Sequence, residues 1–259
     1  MKFGICMQAV VSVHELPSWK SRMINQLLFG ELFTIKDEKD DWLLIETADD
    51  HFEGWIYRIE ATQTDESFYT DAVNSAKHFF YSLSGRIKGE KLMIPVTKGA
   101  QFPFWKDGTF KINNHTFYYY KSVHPVPDKV TYGSITDVAK SYLGTSFLCG
   151  GRSPFGIDGP GLIQIAFKMN GIGLPRSAAK QMEHGEQILF VEAAKQGDLA
   201  FFEDDEGNIN HSGIILDQNK IIHAWGKVRI DTIDHVGIFN AEMKKYTHKL
   251  RVVKRVLAE

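Results

Sequence analysis

The chain has 259 residues, 43% hydrophobic and 24% charged, a balance that excludes a disordered chain and gives length for two or three domains. Its formal net charge of −2 excludes a general electrostatic attraction to nucleic acid or to an anionic membrane surface. Two cysteines, Cys6 and Cys149, are too few for a disulfide framework, and no apolar run approaches the roughly 18 residues that would span a bilayer.

At the N-terminus the apolar stretch is broken by Gln8 and Ser12, and no small-residue cleavage site follows it. Val10, Val11 and Val13 therefore read as the first strand of a soluble domain, and the expected location is cytoplasmic. Residues 1–60 then alternate between short strands and Asp/Gly/Glu turns: L-F-T-I-K after Gly30-Glu31, W-L-L-I-E-T from Trp42, and G-W-I-Y-R after Asp49-Asp50. This pattern predicts a small β-barrel and resembles a bacterial SH3-like domain, with Trp42 and Trp55 as core or rim aromatics. Residues 61–127 are again strand-rich. Lys91 to Val96 form one run, Lys106-Asp107-Gly108-Thr109 predicts a hairpin turn and Asn113-Asn114 another. A second, divergent SH3-like barrel is expected there, its aromatics (Phe102, Phe104, Trp105, Phe117 and Tyr118 to Tyr120) supplying core rather than a sugar-stacking surface. Pro125-Val126-Pro127 reads as a stiff linker.

From 128 to 259 the pattern changes to helices followed by strands. Asp137 to Tyr142 and Leu162 to Met169 predict helices, the second stopped by Asn170-Gly171. Strands are predicted at L-A-F-F (199–202), H-S-G-I-I-L (211–216), K-I-I-H-A-W (220–225), V-R-I-D (228–231) and L-R-V-V-K-R (250–255). Helices first and an antiparallel sheet afterwards make an α+β domain. No H-E-x-x-H, paired C-x-x-C or phosphate-binding glycine loop is present, and the histidines have no ligand spacing, so neither metal nor cofactor is expected.

Three segments carry a family resemblance. Residues 142–167 read Y-L-G-T-S-F-L-C-G-G-R-S-P-F-G-I-D-G-P-G-L-I-Q-I-A-F; G-D-L-A-F-F begins at Gly197 and leads to His211; I-I-H-A contains His223. Together they resemble the signatures of the NlpC/P60 cell-wall cysteine peptidases, and the order of two barrels and then peptidase is similar to the γ-D-glutamyl-L-diamino acid endopeptidase subgroup. The resemblance implies an α+β fold with a papain-like domain (128–259) preceded by two small SH3-like β-barrels (1–60 and 61–127). It also implies a cysteine nucleophile in D-C-S-G, a base at His211 and a base-orienting residue at His223. Here the tetrapeptide is Asp158-Gly159-Pro160-Gly161, and Gly159 has no side chain. A cysteine peptidase needs a thiolate, a base and a group that orients the base; this sequence keeps the last two.

Neighbouring positions depart from the family pattern as well. Phe147 stands where a Tyr hydroxyl is common, Cys149 replaces a Trp and Pro160 replaces a Ser. Ser177 replaces an Asp that binds the substrate's free amine, and Trp225 stands where a small Ser is usual and has the bulk to fill the cleft. Arg176 and Ser212 complete the candidate binding residues. Asp158 is expected to cap the helix, with Pro160 in its first turn. The backbone is expected to accept Gly159→Cys unless Gly159 requires a positive φ. Cys149 reads as an inert thiol, and catalysis through it would need its sulfur beside His211. The expected function is a catalytically inactive homologue of a murein-peptide endopeptidase that keeps a role in binding a murein-derived peptide or a protein partner. An active cell-wall hydrolase and a non-enzymatic scaffold are the alternatives. The sequence leaves the oligomeric state open.

Overall fold

The computed structural model describes residues 2–121, 123–217 and 219–257. The chain divides into two compact units: residues 1–127 together with 149–154, and residues 128–148 together with 155–259.

The first unit opens with seven strands: β1 (Phe3–Cys6), β2 (Val10–His14), β3 (Met23–Leu28), β4 (Leu32–Lys39), β5 (Trp42–Thr47), β6 (Glu53–Tyr57) and β7 (Ala61–Thr64). They form one antiparallel sheet in the order β3-β2-β6-β5-β4-β1-β7. Val10 to Val13 thus lie in the second strand, because F-G-I-C, too short to stand out from the sequence, already pairs with both β4 and β7. Inward residues alternate along the strands and bring Val11, Val13, Leu27, Phe33, Leu43, Ile45 and Ile56 into one buried cluster. Trp42 is buried, and Trp55 half-buried.

Helix α1 (Glu66–Asn74) follows, then β8 (His78–Phe79), β9 (Ser84–Lys88), β10 (Met93–Thr97), β11 (Thr109–Ile112), β12 (His115–Tyr118) and β13 (His124–Pro125). The all-strand reading of 61–127 omits α1. Its signal is local: the Asp65 carboxylate accepts the Phe68 amide hydrogen at 2.6 Å, and a short stripe of Phe68, Tyr69, Ala72 and Val73 packs inward. The two hairpin turns form as their residues require, with Asp107 (φ 51°) and Gly108 (φ 84°) between Lys106 and Thr109, and Asn113 (φ 51°) between β11 and β12. Phe102, Phe110 and Phe117 are buried and stack on one another, with centroids 4.7 and 5.2 Å apart. Ile5, Phe29 and Leu32 belong to the same cluster, so the two β-rich regions meeting near residue 60 share one core.

The later stretch of this unit holds β14 (Arg152–Ser153). The Arg152 guanidinium donates to both carboxylate oxygens of Glu31, at 3.0 and 2.9 Å, and to the Gln26 carbonyl at 2.8 Å, while the Arg152 amide donates to the Gln26 side chain. Both charged groups are 4% exposed. Gly150, at φ 79°, lets the backbone pass so near Met23 that an added Cβ would lie 2.6 Å from its carbonyl oxygen.

In the second unit, α2 (Tyr132–Lys140), β15 (Gly156–Ile157), α3 (Gly159–Lys168) and α4 (Ala178–Gln181) precede β16 (Glu186–Ile188), β17 (Leu199–Glu203), β18 (Ile209–Ile215), β19 (Lys220–Trp225), β20 (Lys227–Ile233), β21 (Gly237–Asn240) and β22 (Lys245–Arg255). The predicted sheet closes on itself. Strands run β16-β22-β17-β18-β19-β20-β21, and β21 also pairs with β22, so six strands form a barrel. Ala200, Phe202, Ile215, Ile221, Ile233, Ile238 and Val253 fill part of its core. Helix α3 is apolar nearly all round and packs on β18 and β19. No described helix is long and apolar enough to cross a membrane.

Removing one partner of a buried ion pair strands the other charge at a cost of about 3–5 kcal/mol, whereas replacing both with apolar residues costs far less. Arg152→Met is expected to lower the urea unfolding midpoint strongly, and Arg152→Met with Glu31→Leu to recover much of the loss. A double-variant loss equal to the sum of the Arg152→Met and Glu31→Leu losses would show that the pair contributes nothing as a pair.

Candidate functional site

At the start of α3, the Asp158 side chain accepts the Gly161 amide hydrogen at 2.8 Å and also pairs with Arg176 at 2.7 Å. Pro160 occupies the first turn, as expected, and its carbonyl accepts from the Gln181 amide at 2.9 Å. Gly159 is the first helical residue and meets Ser212, the residue that follows His211. It does not have a positive φ, yet the expected tolerance of a side chain fails for another reason. A Cβ on Gly159 would lie 2.7 Å from the Ser212 carbonyl oxygen and 3.4 Å from its Oγ. That oxygen belongs to a central strand and cannot rotate away as a side chain would.

The barrel aligns the other groups. Gly213 on β18 lies opposite His223 on β19, and His223 lies opposite Arg229 on β20. With a period of two, His211 and Asp231 fall diagonally on either side of His223. His211 Nε2 is 2.9 Å from His223 Nδ1, and His223 Nε2 is 3.1 Å from Asp231 Oδ2. A carboxylate only accepts, so His223 Nε2 carries the proton toward Asp231. Its Nδ1 then accepts from His211 Nε2–H, leaving Nδ1 as the basic nitrogen of His211. Arg229 brackets Asp231 through Nε at 2.7 Å and Nη2 at 3.0 Å, and Asn240 donates to it at 3.3 Å. Burial alone would raise the Asp231 pKa; the hydrogen bonds from His223 and Arg229 outweigh it and hold the carboxyl at about 2.

A third histidine joins them. His248 on β22 stacks on His211 with ring centroids 4.0 Å apart and planes 26° from parallel. Trp225 stands edge-on to it at 5.7 Å, and the buried Phe202 ring flanks both His211 and His248. Burial first, and then the neighbouring imidazoles, push the His211 pKa well below its ordinary value; the same causes bring His248 to about 4. One ring nitrogen from each of His211, His223 and His248 lies within 4.8 Å of the others, in the one group of three or more such donors found among the described residues. Sequence spacing gives no sign of this cluster, which is assembled in space. It also missed Asp231 and His248. The signals were the alternation of V-R-I-D, two positions from the residue opposite His223, and of H-K-L-R-V, which puts His248 in line with inward-facing Leu250.

The remaining predicted residues take varied places. Phe147 is partly exposed and its amide donates to the Gly226 carbonyl at 3.0 Å. Cys149 is exposed and belongs to the first unit. Arg176 is buried on Asp158, and Ser177 caps α4 by accepting the Lys180 amide. Ser212 is fully buried. Trp225 is half-buried and, with Gly226, Lys227 and Arg229, walls a shallow open depression of about 340 Å³.

Two outcomes follow from this geometry. Gly159→Ala would ordinarily gain helix propensity, but overpacking against fixed backbone costs about 1–3 kcal/mol and should win; the urea midpoint of Gly159→Ala and Gly159→Cys is expected to fall, and a rise would refute the close approach. For acid sensitivity, His211 and His248 have folded pKa values below the unfolded one. Their contribution is complete above about pH 6.5 and is lost as pH falls toward 4, where Asp231 extends the loss toward 2. Chelator-treated protein should therefore weaken from pH 6.5 downward, and His248→Phe should flatten the fall between 6.5 and 4. A midpoint constant across that window would contradict the assignment.

Comparison with known proteins agrees with this architecture. Residues 144–252 match the NlpC/P60 family and residues 13–58 the bacterial dipeptidyl-peptidase SH3 domain. The chain is 27% identical over 215 residues to the γ-D-glutamyl-L-lysine dipeptidyl-peptidase of Bacillus subtilis (strain 168), covering 77% of this chain and 71% of that protein. It is 22% identical over 256 residues to dipeptidyl-peptidase 6 of Lysinibacillus sphaericus, covering 89% and 92%. The crystal structure of an NlpC/P60 family protein from Bacillus cereus superposes with a TM-score of 0.83 at 16% identity, over 99% of this chain and all of that one. With the helix start, the histidine pair and the barrel in place, the chain carries an NlpC/P60 domain over residues 144–252, preceded by a bacterial SH3-like domain over residues 13–58.

Proposed function

We propose that this NlpC/P60 protein binds a short carboxylate-bearing peptide of the murein type without hydrolysing it. The observation that carries this reading is the start of α3: Gly159 offers no thiol, and the Ser212 carbonyl occupies the space from which a side chain would project. His211 retains a basic nitrogen with nothing on α3 to deprotonate, so covalent catalysis has no first step there. Cys149 lies ten positions before Gly159 and outside α3, so it does not take the helix-start position, which argues against its serving as a substitute nucleophile. Peptide binding is supported by the depression beside Trp225. Its volume falls in the range of small-ligand sites, Trp225 supplies an apolar wall, and Lys227 and Arg229 supply positive charge for a carboxylate. The relatives named for γ-D-glutamyl-L-lysine peptides suggest the ligand class: L-Ala-γ-D-Glu peptides ending in a diamino acid.

Calorimetry with L-Ala-γ-D-Glu-L-Lys, run beside a chromatographic hydrolysis assay, tests both halves. Saturable binding weakened several-fold by Lys227→Glu, with no product formed, is expected; loss of an essential nucleophile can remove on the order of 10⁶ in rate. Turnover abolished by Cys149→Ser would establish an active hydrolase instead. Absence of binding would leave the scaffold reading.

A further inference from the structure

We infer that His211, His223 and His248 form a binding site for one Zn²⁺ ion, held by three imidazole nitrogens. The inference stands apart from the peptide-binding reading, since it needs neither a peptide nor any activity.

Three observations carry it. The first is convergence: β18, β19 and β22 each contribute one histidine, with β22 one strand away from β18 across β17, where Phe202 pairs with both His211 and Leu250. Their donor nitrogens lie within 4.8 Å of one another. Tetrahedral Zn²⁺ with bonds of about 2.0–2.1 Å requires separations of about 3.4 Å. The shift needed is small: His211 Nε2 and His223 Nδ1 part from 2.9 Å, and half-buried His248 turns from its stack on His211.

The second is the outer shell. Ligating histidines are typically fixed through their second nitrogen by an oxygen acceptor such as a carboxylate, a backbone carbonyl or water. His223 is fixed in this way by Asp231 at 3.1 Å, which leaves its Nδ1 lone pair directed at the cluster. His248 Nδ1 meets the Thr247 hydroxyl at 2.9 Å. Asp231 is itself locked by Arg229 and Asn240. The third is the surrounding chemistry. Neutral nitrogen donors with no carboxylate among the inner three, against the apolar wall of Phe202, suit a borderline transition ion and not Ca²⁺ or Mg²⁺.

The proton balance closes. Binding uses one lone pair from each ring; the hydrogen on His211 Nε2 moves to Nδ1 by exchange with solvent, and no net proton need be released. Three protein ligands leave the fourth position to water.

The test uses the full chain, stripped with chelator and titrated with ZnCl₂ and with CoCl₂. One ion per chain is expected, with a rise in melting temperature and visible cobalt absorption of tetrahedral intensity. His248→Phe keeps a ring in the stack without a donor, and should lose at least tenfold in affinity along with the cobalt band. His235→Ala, an exposed histidine outside the cluster, should change neither. No binding by the parent chain, or binding unchanged in His248→Phe, would overturn the site. If a variant misfolds, the cobalt spectrum of the parent chain decides alone: octahedral intensity or none refutes the assignment.

Discussion

The close approach of α3 to β18 is the constraint on which the second unit turns. A helix N-terminus with unpaired amide hydrogens favours a thiolate, and for that reason it suits a cysteine nucleophile. In this chain the same position is occupied by a residue without a side chain, and the carbonyl of a central strand fills the space. The helix start is nonetheless built with care: Asp158 caps it, Arg176 pairs with that cap, and Gln181 bonds the Pro160 carbonyl. What remains is a well-made element whose polar groups answer to one another.

Around it, the barrel holds a chain of buried polar side chains. His223 is held between His211 and Asp231, and Asp231 between Arg229 and Asn240. A buried chain of this kind is held by its satisfied members, and the Asp231 carboxylate accepts from His223, Arg229 and Asn240. The order of the strands places these groups: a one-residue slip of β19 would turn His223 to the opposite face. His248 then adds a second imidazole face to His211, so His211 sits within packed rings.

Much of this was legible in the sequence because local chemistry and spacing agree. Asp158 followed by Gly159-Pro160 announces the helix start, Asp107-Gly108 and Asn113 announce turns that need positive φ, and short apolar runs follow His211 and precede His223. Other features arise only from tertiary closure. Asp231 and His248 lie on strands that neighbour the site by pairing, with no motif around either. The obstacle at Gly159 is a backbone atom 53 positions away, invisible to any reading of side chains. Helix α1 was missed because its apolar stripe is short and aromatic and reads as strand.

The Arg152–Glu31 pair has a consequence for how the chain is made. Its partners are 121 residues apart, so the first unit is assembled from two separated stretches of the polypeptide. During vectorial synthesis, Glu31 and Gln26 emerge long before the segment that completes them. The loop-closure entropy grows only slowly with such a distance, so the delay is one of time more than of free energy. A fragment cut at the proline-rich junction near 127 would look like a natural module on paper. It would carry a carboxylate shaped for burial with its guanidinium missing, and water or misplaced chain would have to take that role.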